Sequence, residues 1–344
     1  MSGKKKVIQI VIFLAVMLLT FYALFSGRDL GEIVRAVGRM SPVYLVPAVM
    51  LAVFFVCAEG IMIWYLLNSM REKKNRVWRC IQYSFIGFFY SGITPSATGG
   101  QPVQLYYMNK DGNRISDSTV VLMTVAVVYK FVLVVMGTGI LIFWHGPLIK
   151  ELNHYFPLFI LGLMLNVILV ILILGVMIFP EIIRRIALFF EKLLIRMRIW
   201  KPSEKRAEKI EGFIGNYQQA VRWLGKHKGK LAGVVVLTFL QRCSVFVLTY
   251  MVYLGFGQTG SGALKVILLQ ASVYIAVDML PLPGAQGITE LMYQAVFSHV
   301  FAGAYLIPSM LVSRGINFYF LLLLSLGVVL VNRFVFDRRK APAC

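Results

Sequence analysis

Six uninterrupted apolar runs constrain what this chain can become: Val7–Phe25, Val43–Leu67, Thr119–Trp144, Phe156–Phe179, Leu231–Phe256 and Ala304–Val331, each 19 to 28 residues long. At about 1.5 Å per residue, each reaches across a hydrocarbon core of about 30 Å. Charged residues make up only 15% of the 344 positions and hydrophobic ones 59%, whereas a soluble domain carries about 25% charged residues. Water-soluble classes are thereby excluded. The chain reads as all-α, a polytopic integral membrane protein. Lys4-Lys5-Lys6 before the first run has the outline of a signal peptide, but no small-residue cleavage site follows, so a retained span is expected.

Two further apolar stretches, 77–107 and 263–300, are interrupted at their centres. The first break reads Thr94-Pro-Ser-Ala-Thr-Gly-Gly-Gln-Pro102, the second Pro281-Leu-Pro-Gly-Ala-Gln-Gly-Ile-Thr-Glu290. Their flanks are too short to span comfortably, so each stretch is expected to form a broken or re-entrant helical hairpin, or a pair of short spans. Pro95 and Pro281 lack the N–H that a helix interior needs and are expected to end the entering half-helices.

Lys and Arg outnumber Asp and Glu by 35 to 15. Their distribution orients the chain: segments on one side hold 27 basic residues and those on the other 4, a strong positive-inside bias that puts both termini in the cytoplasm. With this orientation the first hairpin enters and leaves from inside and the second from outside. Residues 1–150 and 156–344 then read as two inverted-topology repeats, each built as span, span, broken hairpin, span. The cytoplasmic segment 180–230 is a basic insert. Within it Glu181–Trp200 alternates apolar and basic positions at helical spacing, as expected of a helix on an anionic lipid surface or of a solvated helix packed on the bundle.

Most motif chemistry is absent from this sequence. Cys57, Cys80, Cys243 and Cys344 lie far apart, and the four histidines show no HExxH spacing, so no metal and no cofactor are expected. Gly255-Phe-Gly-Gln-Thr-Gly260 follows a span instead of opening a helix after a strand, and Gly225-Lys226 lacks the rest of a phosphate loop. No basic, aromatic soluble module exists to bind nucleic acid.

The candidate substrate site comes from charge and backbone. Glu59, Lys130, Arg242, Asp278, Glu290 and Arg314 fall inside membrane segments, where each charge costs at least about 2.5–3.5 kcal/mol and marks a function or a structural partner. Gly99, Gly100 and Gln101 open the first returning half-helix, and Gly284, Gln286 and Gly287 the second. Free N–H groups at such helix starts attract anions, and in a membrane the abundant anion is a phospholipid phosphate. Lys130, Arg242 and Arg314 are expected to meet the phosphate. Glu59, Asp278 and Glu290 are expected to balance those cations or hold a headgroup amine.

These breaks, together with Ser313-Arg314-Gly315, resemble the membrane (flippase) region of the lysyl-phosphatidylglycerol synthase/flippase (MprF-type) family, over roughly residues 5–335. The resemblance implies movement of aminoacylated or other phospholipids between leaflets. In that family a separate soluble domain transfers the aminoacyl group from tRNA; here the chain ends at Cys344, soon after the last span, so that domain is expected to be absent. The family often carries an acidic residue where Gln101 stands, and no cationic-headgroup role passes to that position.

The expected function is therefore flippase-like phospholipid translocation in the cell membrane, without catalytic residues. A phosphatidylglycerol lysyltransferase-type enzyme and an ion-coupled small-solute transporter are the alternatives. The expected partners are anionic or aminoacylated phospholipids; a homodimer and a separate lipid-modifying synthase are the protein partners this reading allows.

Overall fold

The computed structural model describes residues 30–70, 74–94, 97–179, 204–280, 282–285 and 287–333, with a few positions between 181 and 189. Among them all regular structure is helical. Five helical stretches are long and apolar enough to cross a membrane, and this is a multi-pass membrane protein. They are α2 (Pro42–Met70), α5 (Ile115–Phe143), α9 (Lys228–Gly255), and two composite stretches, His145–Ile178 and Gly303–Val331. The expected run Val7–Phe25, both chain termini and most of Glu181–Trp200 lie outside the described residues.

Two connections turn out to be helical. α1 (Leu30–Gly38) precedes α2, and α6 (His145–Leu152) runs through a tight turn at Asn153–Tyr155 into α7 (Phe156–Ile178). Leu148 and Leu152 are buried and hold α6 against the bundle. The last span is also not uniform. α12 (Gly303–Arg314) passes through a wide π-type segment, Gly315–Phe320, before α13 (Leu321–Val331).

Both interrupted stretches are hairpins of half-helices. In the first, α3 (Val77–Gly92) and α4 (Gly100–Lys110) have 16 and 11 residues. In the second, α10 (Ala263–Val277) and α11 (Ile288–Phe297) have 15 and 10. At 1.5 Å per residue these arms are about 15–24 Å long, short of a full crossing. Pro95 and Pro281 lie outside the described residues, and α3 and α10 stop before reaching them. The arms of the first hairpin touch closely: a Cβ on Gly100 would stand 2.7 Å from the Gly87 carbonyl oxygen. Its base is clasped by Arg79, whose Nε bonds Asp111 at 2.5 Å and whose Nη1 reaches Gln82 at 2.6 Å and Asn332 beyond α13. The second hairpin begins with a comparable anchor, Lys265 to Glu151 at 2.7 Å.

The longest packing interface joins α2 to α9. α3 lies between α2 and α13, and α10 packs on α7, α9 and α5. Small residues let these backbones approach, as expected where lipid gives no hydrophobic drive between helices. A Cβ on Gly60 would sit 2.5 Å from Ile81 Cα, and one on Gly162 would sit 2.3 Å from the Ile275 carbonyl oxygen. α7 turns Leu161, Met164, Ile168, Ile171 and Leu172 outward, all exposed; such a face suits acyl chains. α8 (Glu204–Lys226), outside the spans, docks on α5 through buried Tyr217, and burial pushes that phenol up to about 12, so it stays neutral.

Gly60→Val should lower the thermal midpoint in detergent by an amount equivalent to about 1–3 kcal/mol, because the added methyls have no space. Gly139→Ala, in open space on α5, should leave it unchanged or raise it slightly. Equal midpoints for the two variants would refute the close α2–α3 contact.

Candidate functional site

α5 carries two adjacent residues to the interior, Tyr129 and Lys130. The Lys130 ammonium pairs with one carboxylate oxygen of Asp278 and approaches Met279 Sδ at 3.2 Å. The Tyr129 hydroxyl donates to the other oxygen. Asp278 directly follows α10, where a carboxylate faces the unfavourable negative end of the helix dipole, and Lys130 offsets that field. The two side chains are only 11% and 8% exposed, a burial that charges tolerate when they are paired or well hydrogen-bonded.

Arg242 on α9 is solvated differently. Its guanidinium lies over the rings of Tyr129 at 3.9 Å, Phe55 at 4.6 Å and Tyr274 at 6.0 Å. Nη1 donates to the Tyr274 hydroxyl and Nη2 to Gln241 Oε1, each at 3.1 Å. Nε is buried with no hydrogen-bond partner. Among the described residues no carboxylate forms an ion pair with Arg242. Aromatic faces stabilise a desolvated cation by about 2 kcal/mol each without cancelling its charge.

Glu59 lies one helical turn beyond Phe55 on α2, so both side chains share a face. It accepts a bond from Gln104 Nε2 at 2.7 Å. Gln241 ties the same region together, donating to the Phe55 carbonyl at 2.6 Å.

The second break holds its own charge cluster. Glu290 sits at the third position of α11; one carboxylate oxygen accepts the Gly287 N–H at 2.8 Å, and the other takes Arg314 Nε at 2.9 Å. Arg314 Nη2 donates to the Gly284 carbonyl at 3.0 Å. Gly284 has φ +59°, and a Cβ there would meet the Phe318 ring at 2.3 Å, so only glycine fits this turn. Arg314 lies over Phe318 at 4.8 Å. Rings then lead from Phe318 to Phe88 at 6.5 Å, on to Phe55 at 6.4 Å and so to Arg242.

The structure thus joins Lys130 with Asp278 and Glu290 with Arg314, and sets Glu59 one turn from Phe55, whose ring faces Arg242. Gly99 caps α4 and its N–H is accepted by Thr94 Oγ1 at 2.9 Å; Gly100 closes against α3. Gln101 is exposed, and the buried amide on that half-helix is Gln104, three residues on. Gln286 lies outside the described residues. Tyr129, Tyr274, Gln241, Gln104 and Met279 were missed by attention to ionisable residues alone. A search for neutral polar residues within apolar runs would have found both glutamines. An open pocket of about 430 Å³ beside Arg39, Tyr44 and Gly257 belongs to the end of α9, some 13 residues or about 20 Å from Arg242.

The Glu290–Arg314 pair is testable by a double-mutant cycle. Glu290→Gln and Arg314→Gln singly should each destabilise by about 3 kcal/mol, since each strands one buried charge; together they should recover most of that loss. Additive losses in thermal midpoint would show that the two groups do not interact.

The chain is 29% identical over 301 residues to the UPF0104 membrane protein PH1989 of Pyrococcus horikoshii, a match covering 83% of this chain and 87% of that protein. The family described as the lysylphosphatidylglycerol synthase TM region matches residues 6–325, a stretch that includes both hairpins and all six of the membrane-segment charges. By that match the chain is a member of the lysylphosphatidylglycerol synthase transmembrane-region family.

Proposed function

We propose that the protein translocates phospholipids between the leaflets of the cell membrane, in a flippase-like manner and with both termini cytoplasmic. Arg242 carries the proposal: a buried cation solvated by neutral groups, amid two broken hairpins in a family of lipid-related membrane regions. A lipid phosphate entering there pairs with an uncancelled guanidinium while the acyl tails stay in the bilayer. Lys130 and Arg314 join it only when Asp278 and Glu290 release them. The helix starts at Gly100 and Gly287 add their dipoles, although the Gly287 N–H must first leave Glu290.

The proposed inverted repeat, 1–150 against 156–344, supports a site between the hairpins. Arg79 and Lys265, Pro95 and Pro281, Gln104 and Glu290, and Tyr107 and Tyr293 are each 186 positions apart. α2 and α9, second spans of the two halves, face each other across the longest interface, and each hairpin packs on the third span of the other half, α3 on α13 and α10 on α5. The charge bias of 27 to 4 supports the orientation.

In proteoliposomes, fluorescent phospholipids in the inner leaflet should become accessible to an added quencher in the presence of the wild-type chain. Arg242→Gln should remove most of that activity, and Leu172→Ala on the lipid face should not. No lipid movement beside saturable uptake of a soluble solute would replace this reading with a small-solute transporter. On a background lacking native thiols, single cysteines introduced by Ser2→Cys and Ala341→Cys should label from the cytoplasmic side; labelling from outside would reverse the orientation.

A further inference from the structure

Of the six charges singled out in membrane segments, four cancel in two ion pairs, Lys130 with Asp278 and Glu290 with Arg314. The remaining two, Glu59 and Arg242, meet neutral groups. Glu59 is held by the Gln104 amide, and Arg242 by phenols, rings and the Gln241 amide. Phe55 brings them together: its ring faces Arg242 and its position is one turn from Glu59. Arg242 is 6% exposed and still has an Nε with nothing to donate to, an arrangement that calls for a ligand acceptor.

We infer that this interior reads a zwitterionic headgroup, one phosphate and one ammonium with no net charge. This rests on the proposed lipid function and names the headgroup class that the site selects. The guanidinium presents its donors to two phosphate oxygens, a geometry an ammonium lacks. Glu59 accepts the headgroup ammonium, with Gln104 fixing the carboxylate from the other side. The stoichiometry of free charge sets the selectivity. A headgroup with phosphate alone leaves Glu59 uncompensated beside a second anion. A headgroup with two amines and one phosphate brings one cation more than the site has acids to receive.

The purified chain, offered equimolar phosphatidylethanolamine, phosphatidylglycerol and lysyl-phosphatidylglycerol in detergent, is analysed by native mass spectrometry for retained lipid. The same lipids, fluorescently tagged, are followed in proteoliposomes. Wild type should retain phosphatidylethanolamine about tenfold over either competitor, the worth of one charge-assisted hydrogen bond. Glu59→Gln should bring phosphatidylglycerol level with or above phosphatidylethanolamine, and Arg242→Gln should lose both. Should Arg242→Gln fail to fold, Arg242→Lys keeps the charge and should weaken all three lipids alike. Retention of either competitor over phosphatidylethanolamine, or a preference unmoved by Glu59→Gln, overturns the inference. Translocation of all headgroups at one rate also overturns it while leaving the lipid function standing. Selective retention without translocation supports the inference and defeats the translocation reading.

Discussion

Arg314 and Glu290 make the second break possible. A helix interrupted in a membrane frees backbone N–H and C=O groups that no water is available to satisfy, and such a break persists only where protein supplies the partners. One ion pair does so on both sides of the gap. Arg314 bonds the Gly284 carbonyl on the turn, and Glu290 takes the Gly287 N–H that opens α11. The third bond, between the two side chains at 2.9 Å, makes the arrangement a closed unit. The π-type segment after Arg314 adjusts the helix at the point where this guanidinium must reach inward. The positive end of α11 is thus already occupied by a carboxylate of its own first turn, and a lipid phosphate can use it only in competition with Glu290.

The first break solves the same problem without charge. Thr94 donates its hydroxyl to the Tyr90 carbonyl at 2.7 Å and accepts the Gly99 N–H, joining the end of α3 to the start of α4. The residue 186 positions before Glu290 is Gln104, and it turns to Glu59 on α2 instead of to its own helix start. A neutral amide at this position leaves the Glu59 carboxylate solvated and uncancelled. The two hairpins therefore differ in kind: one is self-contained, the other keeps a charge available to the interior.

The spans and the breaks were legible because their signals are one-dimensional. Apolar run length gives a span, and Gly/Pro clusters give an interruption, so α2, α5, α7 and α9 appear nearly where the runs predict. The helical connections α1 and α6 were not, since each depends on a few buried contacts, such as Leu148 and Leu152 against the bundle, that no local pattern announces. At the site the six ionisable residues were all visible, and that the acids would balance the cations was expected. Which cation would lack an acid was not visible. That depends on Tyr129 and Tyr274, two aromatics unremarkable in an apolar run, converging on Arg242 from α5 and α10, and on Gln104 being buried while Gln101 is exposed.

A site that must release its ligand on the far side of a membrane works best when binding and pre-existing contacts are nearly balanced. Ion pairs such as Lys130–Asp278 are poor first contacts, because a headgroup gains their cation only by breaking an attraction strengthened by the dry interior. Arg242 presents no such barrier. Its rings already offset part of the cost of burying it and stay in place whether or not a phosphate arrives. On the proposed reading, an incoming lipid phosphate meets Arg242 first. Its negative charge then competes with Asp278 for Lys130, with Tyr129 touching both Arg242 and Asp278. Lys130 and Asp278 join α5 to the second break, so on the proposed reading weakening that pair would loosen the hairpin from the span it packs on. Ligand binding is then coupled, on that same reading, to the broken helix through one shared tyrosine and one exchanged ion pair.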